Sequence, residues 1–195
     1  AAAQPHPDSL LNDFAWRNIG PANMMGRIAA IDALEDDFRT VLIGVASGGV
    51  WKSTNAGTSF TPIFDEYGSQ SIGDVAFFQG DPDIIWVGTG EASNRNSVGW
   101  GDGIYTSTDG GETFMNMGLE DTYQIAAIAP HPTDSNTVYV AAIGDLWSYQ
   151  GRRGLFKTTD GGQTWTKLTN GLPDDGKTGA SVVKINPQNP DEVYV

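Results

Sequence analysis

The sequence predicts an all-β protein, a β-propeller of four-stranded blades in which three blades and part of a fourth are present. Three observations carry this expectation. A strand led by glycine and closed by a Ser/Thr-x-Asp/Asn turn recurs with its hydroxyl residue at Ser53, Ser107 and Thr158, a period of 54 and then 51 residues. A second β-rich unit recurs between these copies. No window keeps apolar residues at i, i+3, i+4 and i+7 over three turns, so helical periodicity is absent.

The first copy of the strand and turn runs Gly49-Val50-Trp51-Lys52-Ser53-Thr54-Asn55-Ala56-Gly57-Thr58-Ser59-Phe60. The second runs Gly103-Ile104-Tyr105-Thr106-Ser107-Thr108-Asp109-Gly110-Gly111-Glu112-Thr113-Phe114, and the third Gly154-Leu155-Phe156-Lys157-Thr158-Thr159-Asp160-Gly161-Gly162-Gln163-Thr164-Trp165. The intervening unit appears as Asp81-Pro82-Asp83-Ile84-Ile85-Trp86-Val87-Gly88, as 133–141, and as Asn189-Pro190-Asp191-Glu192-Val193-Tyr194-Val195. Each of those follows a short apolar run, at 72–77, 125–129 and 181–185, and Arg27–Ile31 with Thr40–Gly44 is the same pair near the start. Runs of β-branched and aromatic residues bounded by Gly, Pro, Asn or Asp read as strands. Four of them per period of this length is the pattern of a propeller blade.

The turn has a mechanical explanation. The Ser/Thr and Asp side chains exchange hydrogen bonds with nearby backbone, and the glycines supply positive φ for a tight hairpin. Ser53, Asn55, Gly57 and Phe60 are therefore expected to be structural, as are Ser107, Asp109, Gly111, Phe114, Thr158, Asp160, Gly162 and Trp165. The first copy departs from the pattern, with Asn55 for Asp, Ala56 for Gly and Ser59 for Thr. Asn keeps the acceptor oxygen, so the turn is expected to survive with less rigidity.

These residues resemble the Asp-box (BNR) repeats of the sialidase and sortilin (VPS10) superfamily. The resemblance covers about residues 14 to 195. The stretch from Val87 to Gly103, and the opening from Trp16 to Ile28, are similar to segments of large bacterial exported sortilin-like or BNR "glycosyl hydrolase" proteins. In that superfamily the Asp box lies on the rim, away from the central channel, which implies scaffold roles for Asp109 and Asp160. The resemblance also permits a test of sialidase chemistry, which needs an arginine triad. Only Arg17, Arg27, Arg39, Arg95, Arg152 and Arg153 are present, and the Arg-Ile-Pro signature is half matched at Arg27-Ile28 before Ala29. Sialidase activity is therefore disfavoured.

Composition narrows function further. There are 24 acidic and 11 basic residues among 195, a net charge of −13 that repels phosphate backbones and anionic lipid, so nucleic acid is not an expected partner. No run of 18 apolar residues is present, so no direct membrane span is expected. With no cysteine there is no thiol chemistry and no disulfide. His6 and His131 lack ligand-spaced partners, so neither metal nor other cofactor is predicted. Residues 1–13 read as a flexible N-terminal segment and 14–195 as propeller blades. Two strands of a fourth blade lie in 178–195, and closed propellers need about four or more blades. The expectation is a portion of a longer polypeptide. The small-residue start fits a processed secretory signal, or equally a linker scar. Export to a bacterial periplasm, cell surface or medium is the expected location.

Function is expected in two inserted loops. Between Gly88 and Gly103 stand Glu91, Asn94, Arg95, Trp100 and Asp102, where the first blade needs only Gly44 to Gly49. Between Gly144 and Arg153 stand Trp147, Tyr149 and Arg152. Insertions on one face of a repeat array are where binding concentrates. A carboxylate, an arginine and a tryptophan together suit a peptide or a sugar; alternatively Glu91 pairs with Arg95 and Trp100 packs on the neighbouring blade. Glu91 and Asp102 are also the candidate carboxylate pair of a glycoside hydrolase. The leading expectation is a non-catalytic propeller that binds a protein partner or other blades of the same polypeptide, with polysaccharide as a second ligand class. The alternative is a polysaccharide-active hydrolase with part of its site outside this chain.

Overall fold

The computed structural model describes residues 26–195. The segment 1–13 and the opening from Trp16 to Gly20 lie outside the described residues. Three antiparallel four-stranded sheets follow one another, each in simple sequence order, as expected for blades. The first contains β1 (Ile28–Ala33), β2 (Val41–Val45), β3 (Gly49–Ser53) and β4 (Thr61–Pro62). The second contains β5 (Ile72–Phe78), β6 (Asp81–Thr89), β7 (Ile104–Ser107) and β8 (Met115–Asn116). The third contains β9 (Ile125–Pro130), β10 (Val138–Ala142), β11 (Gly154–Thr158) and β12 (Thr166–Leu168). A two-stranded sheet of β13 (Lys184–Ile185) and β14 (Val193–Tyr194) follows.

The first strands of successive blades lie side by side, β1 against β5 and β5 against β9. Because β5 is covered on both faces, nearly all of it is buried, and the polar–apolar alternation of a half-exposed strand is lost there. Between blades one and two the core joins Leu42, Val50 and Phe64 to Val75, Val87, Tyr105 and Phe114. Between blades two and three it joins Trp86, Ile104 and Leu119 to Ile128, Val140, Phe156 and Trp165. The aromatics that close the turns thus reach across to the preceding blade: Phe114 meets Phe64 edge-on at 5.1 Å and Trp165 meets Trp86 at 6.3 Å.

Two further contacts join the blades along their inner strands. Asp32 on β1 accepts the Phe77 amide of β5 at 2.7 Å, and Asp74 on β5 accepts the Ile128 amide of β9 at 2.7 Å. Each carboxylate also accepts the amide of the residue after it, so both of its oxygens are occupied. Burial raises the pKa of both, that of Asp74 to about 6.

The repeated turn has the same hydrogen bonds in its second and third copies. Ser107 Oγ donates to Asp109 at 2.7 Å and accepts the Gly111 amide at 2.8 Å, while Asp109 accepts the Thr113 amide at 2.9 Å and its hydroxyl at 2.6 Å. Thr158, Asp160, Gly162 and Thr164 repeat these bonds. The donors, led by the threonine hydroxyls, hold the carboxyls of Asp109 and Asp160 down to about 2. Gly110 and Gly111 adopt φ of 73° and 93°, a region closed to most side chains. In the first copy Asn55 accepts from Ser53 and from the Ser59 amide, both at 2.9 Å, and Ala56 takes φ 56° without a glycine's freedom.

Candidate functional site

Chain direction fixes which loops share a face. In each blade the link between the second and third strands emerges at the end where the first strand begins, so 46–48, 90–103 and 143–153 lie at the same end of their blades. One backbone hydrogen bond marks the equivalent point in each blade. The amides of Ala46, Gly90 and Ile143, just past the second strand, donate to the carbonyls of Arg27, Ser71 and Gln124, just before the first. Arg27, Ser71 and Gln124 are therefore repeat-equivalent residues at the start of the first strand of each blade.

The long blade-two loop is tied down at both ends. Glu91 is fully buried and pairs with Arg27 of blade one, whose Nε donates to Oε1 at 2.7 Å and whose Nη2 reaches the same oxygen. The Glu91 amide donates to Ser71 Oγ at 3.0 Å, and Ser71 Oγ donates to the Gly99 carbonyl at 3.0 Å. At the far end Asp102 accepts the Tyr105 hydroxyl at 2.7 Å and the Thr89 hydroxyl at 3.2 Å. Burial and then this carboxylate raise the Tyr105 phenol. The partner of Glu91 is thus Arg27, 64 residues earlier, and not the nearby Arg95. Asn94 and Arg95 are exposed at the tip. Trp100 is 59% exposed, and one edge of its ring rests on Tyr123 at 5.3 Å.

The blade-three loop is organised around a buried arginine. Arg153 donates to the carbonyls of Asp145 at 2.9 Å and Ser148 at 2.5 Å, curling the loop around its guanidinium. Asp145 accepts the Ser148 hydroxyl and the Trp147 amide, and with Arg153 close by, these bonds hold its carboxyl low. Trp147 and Tyr149 project outward, 60% and 72% exposed, beside a cavity of about 310 Å³ that they help line. Lys177 lies 5.4 Å above the Tyr149 ring. Arg152 pairs with Asp121 at 2.8 Å.

Chemically this face offers three exposed aromatic rings, while Glu91, Asp102 and Asp145 are each engaged by partners within the protein. The two loops carry three acids, Glu91, Asp102 and Asp145, against three arginines, Arg95, Arg152 and Arg153, so they are formally neutral on a chain of −13. Among the described residues no group of three or more His, Asp or Glu is arranged to hold a metal ion. No helix among them is long and apolar enough to cross a membrane. Sequence reasoning missed Arg27 as the partner of Glu91, and Tyr123 and Gln124 as the residues beneath both loops. The one sequence clue to Arg27 was its place directly before an inner strand.

No family model and no curated protein matches this chain. Solved structures do. An ancestral GH74 enzyme is similar at a TM-score of 0.69 and 23% identity, over 87% of this chain and 21% of that one. The GH74 xyloglucanase from Xanthomonas campestris is similar at 0.62 and 17%, over 86% and 26%. YCF48 from Cyanidioschyzon merolae is similar at 0.51 and 18%, over 76% and 39%. The likeness shows a common propeller fold, of which this chain spans about a fifth to two fifths of the relatives' length.

Proposed function

We propose that this chain is a non-catalytic binding module that presents the loops 90–103 and 143–153 to a protein partner, in an exported protein. The observation that carries this reading is the contrast on one face. Its carboxylates are turned inward onto Arg27, Tyr105, Thr89 and Ser148, while Trp100, Trp147 and Tyr149 stand open to solvent. Aromatic anchors with few free charges are the usual make-up of the energetic centre of a protein interface. A general acid or nucleophile needs an accessible carboxyl, and a pair working on a glycosidic bond needs an open space between them. Fully buried Glu91 does not supply one.

The second reading is a glycoside hydrolase, favoured by the likeness to GH74 enzymes. One experiment separates the two. Wild type, a Trp100→Ala/Trp147→Ala/Tyr149→Ala triple variant and Asp102→Asn are compared for capture of purified envelope proteins of the source cell and for release of reducing ends from polysaccharides. The binding reading expects saturable capture of a defined protein that the triple variant loses and Asp102→Asn keeps, with no release by any form. Release by wild type that Asp102→Asn abolishes would establish the hydrolase instead.

A further inference from the structure

The short segment between β8 and β9 carries an unusual backbone. Tyr123 has φ 58° and ψ −48°, and the Gln124 amide turns back onto the Thr122 carbonyl at 2.6 Å. A hydrogen bond from residue i+2 to residue i around a positive φ is the rare, strained form of the γ-turn. Here a tyrosine occupies the position that glycine would ease. The residue after it, Gln124, is fully buried, and neither its side-chain oxygen nor its nitrogen has a partner. Backbone held in this way persists only where its surroundings over-determine it.

Those surroundings are the two aromatic-bearing loops. From blade two, the Gly101 amide donates to the Tyr123 carbonyl at 2.7 Å, and the Trp100 ring meets the Tyr123 ring at 5.3 Å. Gly90 packs so closely that a Cβ there would stand 1.9 Å from the Tyr123 carbonyl oxygen and 2.9 Å from Gln124 Cα. From blade three, the Ile143 amide donates to the Gln124 carbonyl at 3.0 Å and the Arg152 amide to the Asp121 carbonyl at 2.8 Å. Gly151 lies against the Tyr123 ring, where an added Cβ would come within 2.5 Å. Both loops therefore take backbone hydrogen bonds and ring packing from the same four residues, 121–124.

We infer that Tyr123 is a positioning residue: its strained turn locks the two loops to each other, so that Trp100 on one and Trp147 with Tyr149 on the other form a single platform. This inference gives the proposed binding face its rigidity and rests on that reading, but its test needs no ligand. A binding assay can therefore fail while the coupling stands, and the reverse.

The test is residue-resolved amide hydrogen exchange on the full chain, with the amides of Gly101, Ile143 and Arg152 as reporters. Tyr123→Phe keeps the ring and the turn, and its exchange should match wild type within about twofold throughout. Tyr123→Gly removes the ring that packs on both loops and, with a glycine's freedom, lets the backbone leave the turn. Exchange should rise about tenfold or more at Gly101 on one loop and at Ile143 and Arg152 on the other, with β6 and β10 unchanged. Trp100→Ala removes an exposed ring and so leaves folding intact. It should quicken Arg152 exchange across the joint, although Trp100 belongs to the other loop. Quickening confined to one loop in Tyr123→Gly, or an Arg152 rate unmoved by Trp100→Ala, would overturn the coupling. So would a rise spread evenly over the strands, which reports general destabilisation. Should Tyr123→Gly fail to fold, the Trp100→Ala arm decides alone.

Discussion

Replacing Asp74 with Asn should remove a defined part of the protein's dependence on pH. Asp74 joins β5 to β9 through the Ile128 amide, and burial raises its pKa to about 6 against the pull of two amides and of Lys184. In the unfolded chain the value returns to about 3.9. The folded state thus binds this proton more tightly, so the contribution is fully present below about pH 4 and is lost as pH rises through about 6. A difference of about two units corresponds to about 3 kcal/mol over the whole range. Of this, about 2 kcal/mol falls between pH 4.5 and 7.5, or about 4–8 °C in Tm for a chain of this size. Asn keeps the shape and one acceptor oxygen but does not titrate. The measurement is denaturant unfolding followed by tryptophan fluorescence across that window. The wild type should gain about 2 kcal/mol relative to Asp74→Asn as pH falls from 7.5 to 4.5. Asp32, raised in the same direction, is present in both proteins and drops out of the difference. Asp109, Asp160 and Asp175 titrate near 2, below the window. A difference that stays flat with pH would refute the burial argument.

Other substitutions probe the turns and the loop face. Ser107→Ala strips a buried acceptor from the Gly111 amide and should cost about 1–3 kcal/mol in urea unfolding. Glu91→Gln breaks the pair with Arg27, whose side chain is 33% exposed. That partial exposure screens the pair, so a loss of about 2 kcal/mol is expected, below the range for fully buried pairs. Gly90→Ala combines φ 87° with a clash against backbone oxygen, and should cost about 3 kcal/mol or more, read as a fall in Tm or in soluble yield.

Much of the fold was legible because each blade repeats its own punctuation. Gly-aromatic strands, Ser/Thr-x-Asp turns and their closing aromatics stand in fixed order, and neighbours along the chain form the hydrogen bonds. What lay beyond sequence reasoning depends on contacts between blades. Nothing local joins Arg27 to Glu91 across 64 residues, and a charge four residues away at Arg95 was the natural partner to consider. The inner-strand carboxylates Asp32 and Asp74 each reach the next blade's amides, contacts that no local pattern announces. Tyr123 was invisible for a different reason. Thr122-Tyr123-Gln124 contains no glycine or asparagine to announce a positive φ, and the strain is imposed by the two loops that close over it. The exposed rings at Trp100, Trp147 and Tyr149 were found because their loops interrupt the repeat, which requires no knowledge of contacts.

The central claim, that this face binds a protein and does so through its loops, is tested most directly by mapping where a bound partner touches. A purified partner captured by the wild type would be cross-linked to it and the joined residues identified by mass spectrometry. The account predicts cross-links gathered on 90–103 and 143–153, and their loss in the triple aromatic variant. Cross-links gathered instead at the opposite ends of the blades, at 35–38, 79–83 and 131–136, with the triple variant binding as before, would contradict it.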